Sequence, residues 1–329
     1  MAKSGCQVKS GKAFEYSLAK EYFEYVSSCG CAVEIVKDNK YNIAKAYYES
    51  CTDNEKELYD LSARASIDTI VKLEPGLLAQ SDDRDVLQIR LAGDVEGVGG
   101  DVRDVIFTRP QSKWEMGFSA KNNNDAVKHS RLSMTIDFGE KWLGYKVSET
   151  YWKDIEPVFN LLVQYRKDGW SWEDMGSAKF KDVYIPLLNA FMSELKRLDA
   201  KYQDVPSRLV KYLIGEKPFY KIIKDDTEHV IVVKAFNVES GLNRAVNGVR
   251  PLYRTRSIDL PSRIVEIDFM NKGEVRNDNT LDLIMDGGWE ISFRIHNAST
   301  MVEPSLKFDV RLLGNPPILF TQYIFQASS

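Results

Sequence analysis

The chain has 329 residues, a formal charge of −4 and 43% hydrophobic side chains, enough for one large domain or two intimate ones. No apolar run approaches the roughly 18 residues of a membrane span, and the amino terminus lacks the apolar stretch of a secretory signal, so a cytoplasmic location is expected. Mild acidity argues slightly against a nucleic-acid partner, but the lysines and arginines are bunched, and local distribution outweighs the sum.

Cys6, Cys29, Cys31 and Cys51 all fall near the amino terminus. The C-x-C pair lacks the spacing of a zinc knuckle, and no second pair or nearby histidine completes it, so reduced thiols are expected. Residues 12–28 read as an amphipathic helix, with Phe14, Leu18, Tyr22 and Val26 as its buried stripe and Ser10 as its cap. Glu15 sits in the first turn, where a carboxylate suits the helix dipole. Two further helices are expected at 40–51 and 54–73, with Tyr47, Tyr48, Leu58, Leu61, Ile67, Ile70 and Val71 as their apolar face. Glu74-Pro75-Gly76 stops the pattern. Val86 to Leu91 alternates as a strand.

The stretch from Gly97 to Arg131 carries the densest chemistry. A glycine-rich turn leads into a strand with Asp101 and Asp104, Arg109-Pro110 turns the chain, and a second strand ends at Ser119-Ala120-Lys121. An acid on one strand and an S/E-x-K ending on the next is a common form of a metal-dependent phosphodiesterase site. A hard cation such as Mg²⁺ takes one or two carboxylates and fills its shell with water and phosphate, and a lysine beside it acts as a positioned charge. On a strand rising roughly 3.3 Å per residue, Ser119 and Lys121 share a face about 7 Å apart, whereas Glu115 lies about 20 Å from Lys121. Asp104 is therefore the best ligand and Lys121 its best partner. Strict alternation puts Asp101 on the opposite face unless a bulge at Gly99-Gly100 relaxes it.

Residues 125–132 are expected to turn helical, which would make Asp125 and His129 neighbours. Asn122, Asn124, Lys128 and Arg131 suit phosphate and base-edge hydrogen bonds, and His129 suits phosphate contact better than direct chemistry. Helices follow at 149–169, interrupted at Pro157, at 178–200, kinked or split at Pro186, and at 205–214. From about 216 the texture is alternating and β-branched, which indicates a mainly antiparallel β region. Between its strands Arg244, Arg250, Arg254, Arg256 and Arg263 crowd a loop-like stretch, and arginine forks match guanine in the major groove. Arg294 and Lys307 could add phosphate contacts. His296-Asn297 suggests an HNH nuclease, but the second histidine and the following helix are missing.

Asp104 with Ser119-x-Lys121 resembles the PD-(D/E)xK nuclease motif, with Ser119 in the second acidic position. Three stretches narrow the likeness: GKAFEYSLAKEY (Gly11 to Tyr22), FSAKNNNDAVKHSRLS (Phe118 to Ser133) and WEISFRIHNASTMVEPSLKFDVRLLGNPP (Trp289 to Pro317). Together they are similar to the HaeIII-type family of type II restriction endonucleases, over most of the chain. The resemblance implies an α+β fold, with a nuclease core and helical scaffold over 1–215 and a β-rich DNA-recognition region over 216–329. It implies Mg²⁺-dependent cutting of both strands of DNA, with GGCC as that family's site, and a cognate DNA methyltransferase as functional counterpart. It makes Glu15 the natural extra metal ligand in place of Ser119, ahead of Asp101, and leaves Ser119 a water-holding role. A palindromic site favours a homodimer. The competing readings are a non-catalytic DNA-binding protein, in which Asp104 and Lys121 form a plain ion pair, and another PD-(D/E)xK enzyme such as a repair nuclease.

Overall fold

The structure is a computed structural model that describes residues 2–93, 100–123, 125, 127 and 130–325, with backbone alone for 2–7 and 272. The chain forms two compact units, and it passes between them more than once. The first comprises Met1–Asp125, Gly215–Ile258 and Ile318–Ser329, the second Ala126–Ile214 and Asp259–Pro317. The expected boundary near 215 is thus only one of several crossings, because the strands just after it complete the first unit's sheet.

In the first unit, helices α1 (Ala2–Ser28), α2 (Asn39–Glu49) and α3 (Asp53–Leu73) accompany a mixed sheet. Its strands are β1 (Val33–Ile35), β2 (Leu87–Leu91), β3 (Val105–Arg109), β4 (Trp114–Asn122), β6 (Phe219–Asp225), β7 (Val230–Phe236) and β12 (Thr321–Phe325), which lie in that order across the sheet. β1 and β2 run parallel, as do β4 and β6, and the other neighbours are antiparallel. The stripe Phe14, Leu18, Tyr22 and Val26 is fully buried. Tyr22 stands edge-on to Phe107 and Phe118 at 5.4 and 5.0 Å between centroids, and those two rings lie 4.8 Å apart. This aromatic contact, in a geometry favoured by ring quadrupoles, sets α1 on the β3–β4 hairpin. Arg109 is also fully buried and donates to the main-chain carbonyls of Gly76, Leu77 and Asp85, closing the hairpin's far end.

Several expectations are corrected here. Helix α1 begins well before residue 12, so Ser10 lies inside it rather than at its cap. Leu58 and Leu61 are 44% and 45% exposed, because the buried stripe of α3 runs through Tyr59, Ala63, Ile67 and Ile70. Thr52 and Glu55 form a capping box that starts this helix.

In the second unit, α4 (Glu149–Lys167), α5 (Ile185–Lys201) and α6 (Val205–Ile214) accompany an antiparallel sheet. Its strand order is β5 (Ser130–Leu132), β11 (Leu306–Gly314), β10 (Glu290–His296), β9 (Val275–Met285) and β8 (Ile264–Lys272). α4 runs through Pro157 without a break. Tyr151, Ile155, Phe159 and Leu162 are buried along it, and this packing offsets the hydrogen bond that proline cannot make. The expected break at Pro186 is a π-helical turn, Lys179–Tyr184, which hands over to α5 with Pro186 in the first turn. There a missing N–H costs little. Phe191 joins sheet and helices, 4.8 Å from Phe138, 5.5 Å from Phe293 and 5.2 Å from Phe308. Residues 130–132 are a strand and not the expected helix. Ser130 and Leu132 are buried while Arg131 is exposed, and all three pair with β11, so strand pairing overrides local preference.

Candidate active site

Asp104 sits one residue before β3, and its main-chain N–H donates to Phe118 O at 2.6 Å. That bond brings its carboxylate to the carboxy-terminal end of β4. Oδ2 accepts the Ala120 N–H at 2.8 Å and the Ser119 hydroxyl at 3.4 Å, and Lys121 Nζ lies 3.7 Å away. Three groups singled out in the sequence therefore meet at one carboxylate. Asp104 and Lys121 keep side-chain exposures of 23% each, open enough to meet a ligand.

Glu15 approaches from α1. It is 6% exposed, and Lys12 Nζ holds its Oε2 at 2.9 Å. Burial first, then the negative charge of Asp104, push its carboxyl up to about 8, against the opposing effects of Lys12 and Lys121. A buried carboxyl whose ionisation the neighbouring Asp104 charge opposes makes, together with Asp104, a donor set that a divalent cation would relieve. Among the described residues no group of three or more His, Cys, Asp or Glu side chains is arranged to hold a metal, but Mg²⁺ needs only one or two carboxylates beside water and phosphate. The residues present fit such an ion.

Asp101 does not join this cluster. Its oxygens accept from Arg103 Nε at 2.8 Å and Nη2 at 2.7 Å, with Lys217 Nζ at 3.6 Å. Those contacts, led by the Arg103 hydrogen bond against the cost of burial, hold its carboxyl below the usual range. Glu115 is tied to the same Arg103 at 2.7 Å. Asn122 closes β4, one residue beyond Lys121. Asn124, Lys128 and His129 lie outside the described residues.

The remaining candidates fall in two places. On the second unit's sheet, Arg131 is in register with Lys307, and Lys307 with His296. Like charges placed directly opposite destabilise a sheet, so this row of basic groups invites an anion. Arg131 also donates to Ser305 Oγ at 3.0 Å. Arg294, two positions from His296 on the same face, shares Asp309 with Arg311, each at 3.4 Å. His296 runs into a loop and then β11, consistent with no HNH arrangement.

In the first unit, Arg244, Arg250, Arg254 and Arg256 are all exposed on an irregular segment after β7. The segment is firmly anchored. Buried Asn243 takes four hydrogen bonds: its N–H to Glu74 Oε1 at 2.7 Å, its amide to Leu73 O at 2.7 Å and Tyr253 O at 2.9 Å, and Thr255 N–H to its Oδ1 at 3.0 Å. Glu74 also receives Tyr220 Oη at 2.7 Å and Trp114 Nε1 at 3.2 Å. Asn247 donates to Ala79 O at 2.6 Å and Ser112 Oγ at 2.8 Å. These anchors lie at the Trp114 end of β4, and the strand places Lys121 roughly 23 Å further along. The arginines and the Asp104 cluster are therefore not brought together.

Sequence reasoning missed Lys221 and Lys234, both buried, on β6 beside β4 and on β7, the next strand over, and the Glu74–Asn243 anchor. The signal for the lysines was present: each is a cation inside an otherwise apolar strand run, where charge is costly. Glu74 read only as part of a stop signal, because its partners come from distant segments.

A family model described as HaeIII restriction endonuclease matches residues 11–316. The chain is also similar to the Type II restriction enzyme HaeIII of Haemophilus aegyptius, with 42% identity over 266 residues, 80% of this chain and 81% of that one. No solved structure matches it.

Proposed function

Since this chain belongs to the HaeIII restriction endonuclease family, and is a type II restriction endonuclease, we propose that it cuts both strands of DNA at GGCC with the Asp104 cluster as its cutting site. The observation that carries this reading is the meeting of Asp104, Ser119 and Lys121 at one carboxylate with Glu15 electrostatically linked to it. On this reading the mixed sheet with α1 is a PD-(D/E)xK core in which Ser119 replaces the second acid and Glu15 supplies it from the helix.

Asp104 and Glu15 would hold Mg²⁺, which when bound supplies Lewis acidity toward water and phosphate. Asp104 is oriented for this by the Ala120 N–H, so its carboxylate does not have to reorganise. Lys121 lies 3.7 Å from Asp104 and places a positive charge where the attacking water and the scissile phosphate would meet. Ser119 adds a hydroxyl that can hold that water. The row of exposed Arg131 and half-buried Lys307 and His296, with exposed Arg294 beside it, offers phosphate contacts, and the anchored arginine segment offers forks for guanine. A palindromic site is best met by a two-fold pair of chains.

A plasmid digest with and without Mg²⁺, beside Asp104→Ala and Lys121→Ala, tests the proposal. Discrete Mg²⁺-dependent fragments ending at GGCC, lost in both variants, are expected. Wild-type protein that folds and binds DNA but leaves unmethylated plasmid intact would overturn it in favour of a binding protein.

A further inference from the structure

A line of charge crosses the first unit's sheet beyond the cutting site. In register, Ser119 of β4 faces Lys221 of β6, and Lys221 faces Lys234 of β7. Both lysines are buried, at 2% and 7% exposure. Asp125 binds the two together: its carboxylate accepts from Lys221 and, at 2.6 Å, from Lys234, while Lys221 also donates to the Asp125 main-chain carbonyl at 3.0 Å. Burial pushes the Lys221 ammonium down to about 8, helped by the charges of Lys121 and Lys234 and opposed by Asp125.

A sheet does not need such a cluster for stability. Apolar side chains of similar volume usually serve a buried position as well as an ion pair or better, and Ile222, Ile223, Val232 and Val233 fill the adjacent positions of the same strands. The placement points instead to a ligand. Neighbouring strands lie about 4.8 Å apart, so the two lysines stand roughly 5 and 10 Å from Ser119 across the sheet. A DNA strand with one phosphate at the cutting site would bring its next phosphates within reach of them.

We propose that Lys221 and Lys234 form a second phosphate-binding subsite beside the cutting site, and that the Asp125 carboxylate fills it in the DNA-free protein as a stand-in for phosphate. The inference rests on reading Asp104, Ser119 and Lys121 as the cutting site. Phosphate of the bound strand replaces the carboxylate as the anion between the two ammonium groups. Asp125 thereby sets a threshold: DNA that cannot present a phosphate at this position has to compete with a carboxylate already in place.

The test is binding of a GGCC duplex with Ca²⁺ in place of Mg²⁺, over a series of salt concentrations. Asp125→Asn is expected to bind several-fold tighter than wild type, because the phosphate no longer has to displace a carboxylate, with a log K against log salt slope close to that of wild type. Adding Lys234→Met to Asp125→Asn should remove the gain and make the slope shallower by about 0.9, and if that double variant does not fold, the affinity of Asp125→Asn against its control decides. Asp53→Asn, at a fully exposed position, controls for the loss of one negative charge. A gain no larger than that control, weaker binding, or an Asp125→Asn protein that does not fold would each overturn the proposal and leave Asp125 a structural strut. Cleavage by Asp104→Ala, measured in parallel, would sink the cutting-site reading without touching the binding result.

Discussion

The two sheets handle charge in opposite ways. In the first unit the charged groups around β4 are buried or half-buried and held by named partners: half-buried Asp104 by Ala120 N–H and Ser119, buried Glu15 by Lys12, buried Lys221 and Lys234 by Asp125. In the second unit, Arg131 and Arg294 stand exposed on the polar face of the sheet, and like-charged Arg131 and Lys307 sit opposite one another. Bond cleavage gains from groups that are desolvated and already oriented, because little reorganisation is left for the moment of reaction. Holding a duplex needs long cationic side chains that reach phosphates and exchange counterions. The first arrangement suits cutting and the second suits grip.

The largest expected effect lies on the cutting side. Asp104→Ala or Lys121→Ala should lower single-turnover cleavage by about a hundred- to a thousand-fold, while Ca²⁺-supported binding of a GGCC duplex stays within a few-fold of wild type. Next comes the anchor of the arginine segment. Asn243→Ala keeps the main-chain bond to Glu74 but takes the side-chain partner from the Leu73 and Tyr253 carbonyls and from the Thr255 N–H, which costs about 1–3 kcal/mol per buried group. It should loosen residues 243–256, seen as faster proteolytic nicking and weaker DNA binding, with Mg²⁺-dependent chemistry retained at saturation.

Glu15 sharpens the contrast through pH. Its folded-state carboxyl is pushed up to about 8 from an ordinary 4.5, so the folded protein keeps a proton that the unfolded chain has lost. The associated stability is fully present below about 4.5 and disappears as pH rises through about 8. Melting temperatures of the metal-free protein should therefore fall across that window, by an amount equivalent to a few kcal/mol, and Glu15→Gln should flatten the trend. A Glu15→Gln protein with the same slope as wild type would remove Glu15 from the site. The smallest effect belongs to the exposed face. Lys307→Ala should reduce the salt slope of binding by about 0.9 and weaken affinity several-fold, with cleavage at saturating protein unchanged.

Much of the first unit could be read from residue pattern. The four-residue spacing of Phe14, Leu18, Tyr22 and Val26 describes a helix stripe that is fully buried, and the alternation around Arg109-Pro110 describes a hairpin that exists as β3 and β4. Asp104 and Lys121 were legible because strand geometry limits which side chains can meet. The rest depended on contacts that local pattern does not encode. Leu132 pairs with Leu306 across more than half the chain, so a stretch with helical texture became an edge strand. Asp101 was captured by Arg103, two residues away, through a side chain that lies over Gly117. The return of β12 to β7 completes the first sheet from the carboxy terminus, which a reading in chain order assigns to a separate β region.

The division of labour between the two units is tested most directly by measuring binding and cleavage together for Asp104→Ala and for the double variant Arg131→Ala with Lys307→Ala. The account predicts a crossover: Asp104→Ala binds a GGCC duplex nearly as wild type and does not cut it, whereas the double variant binds weakly, with a shallower salt slope, and cuts at the wild-type rate once saturated. Cleavage retained by Asp104→Ala, or a double variant with unchanged affinity and salt slope, would contradict it.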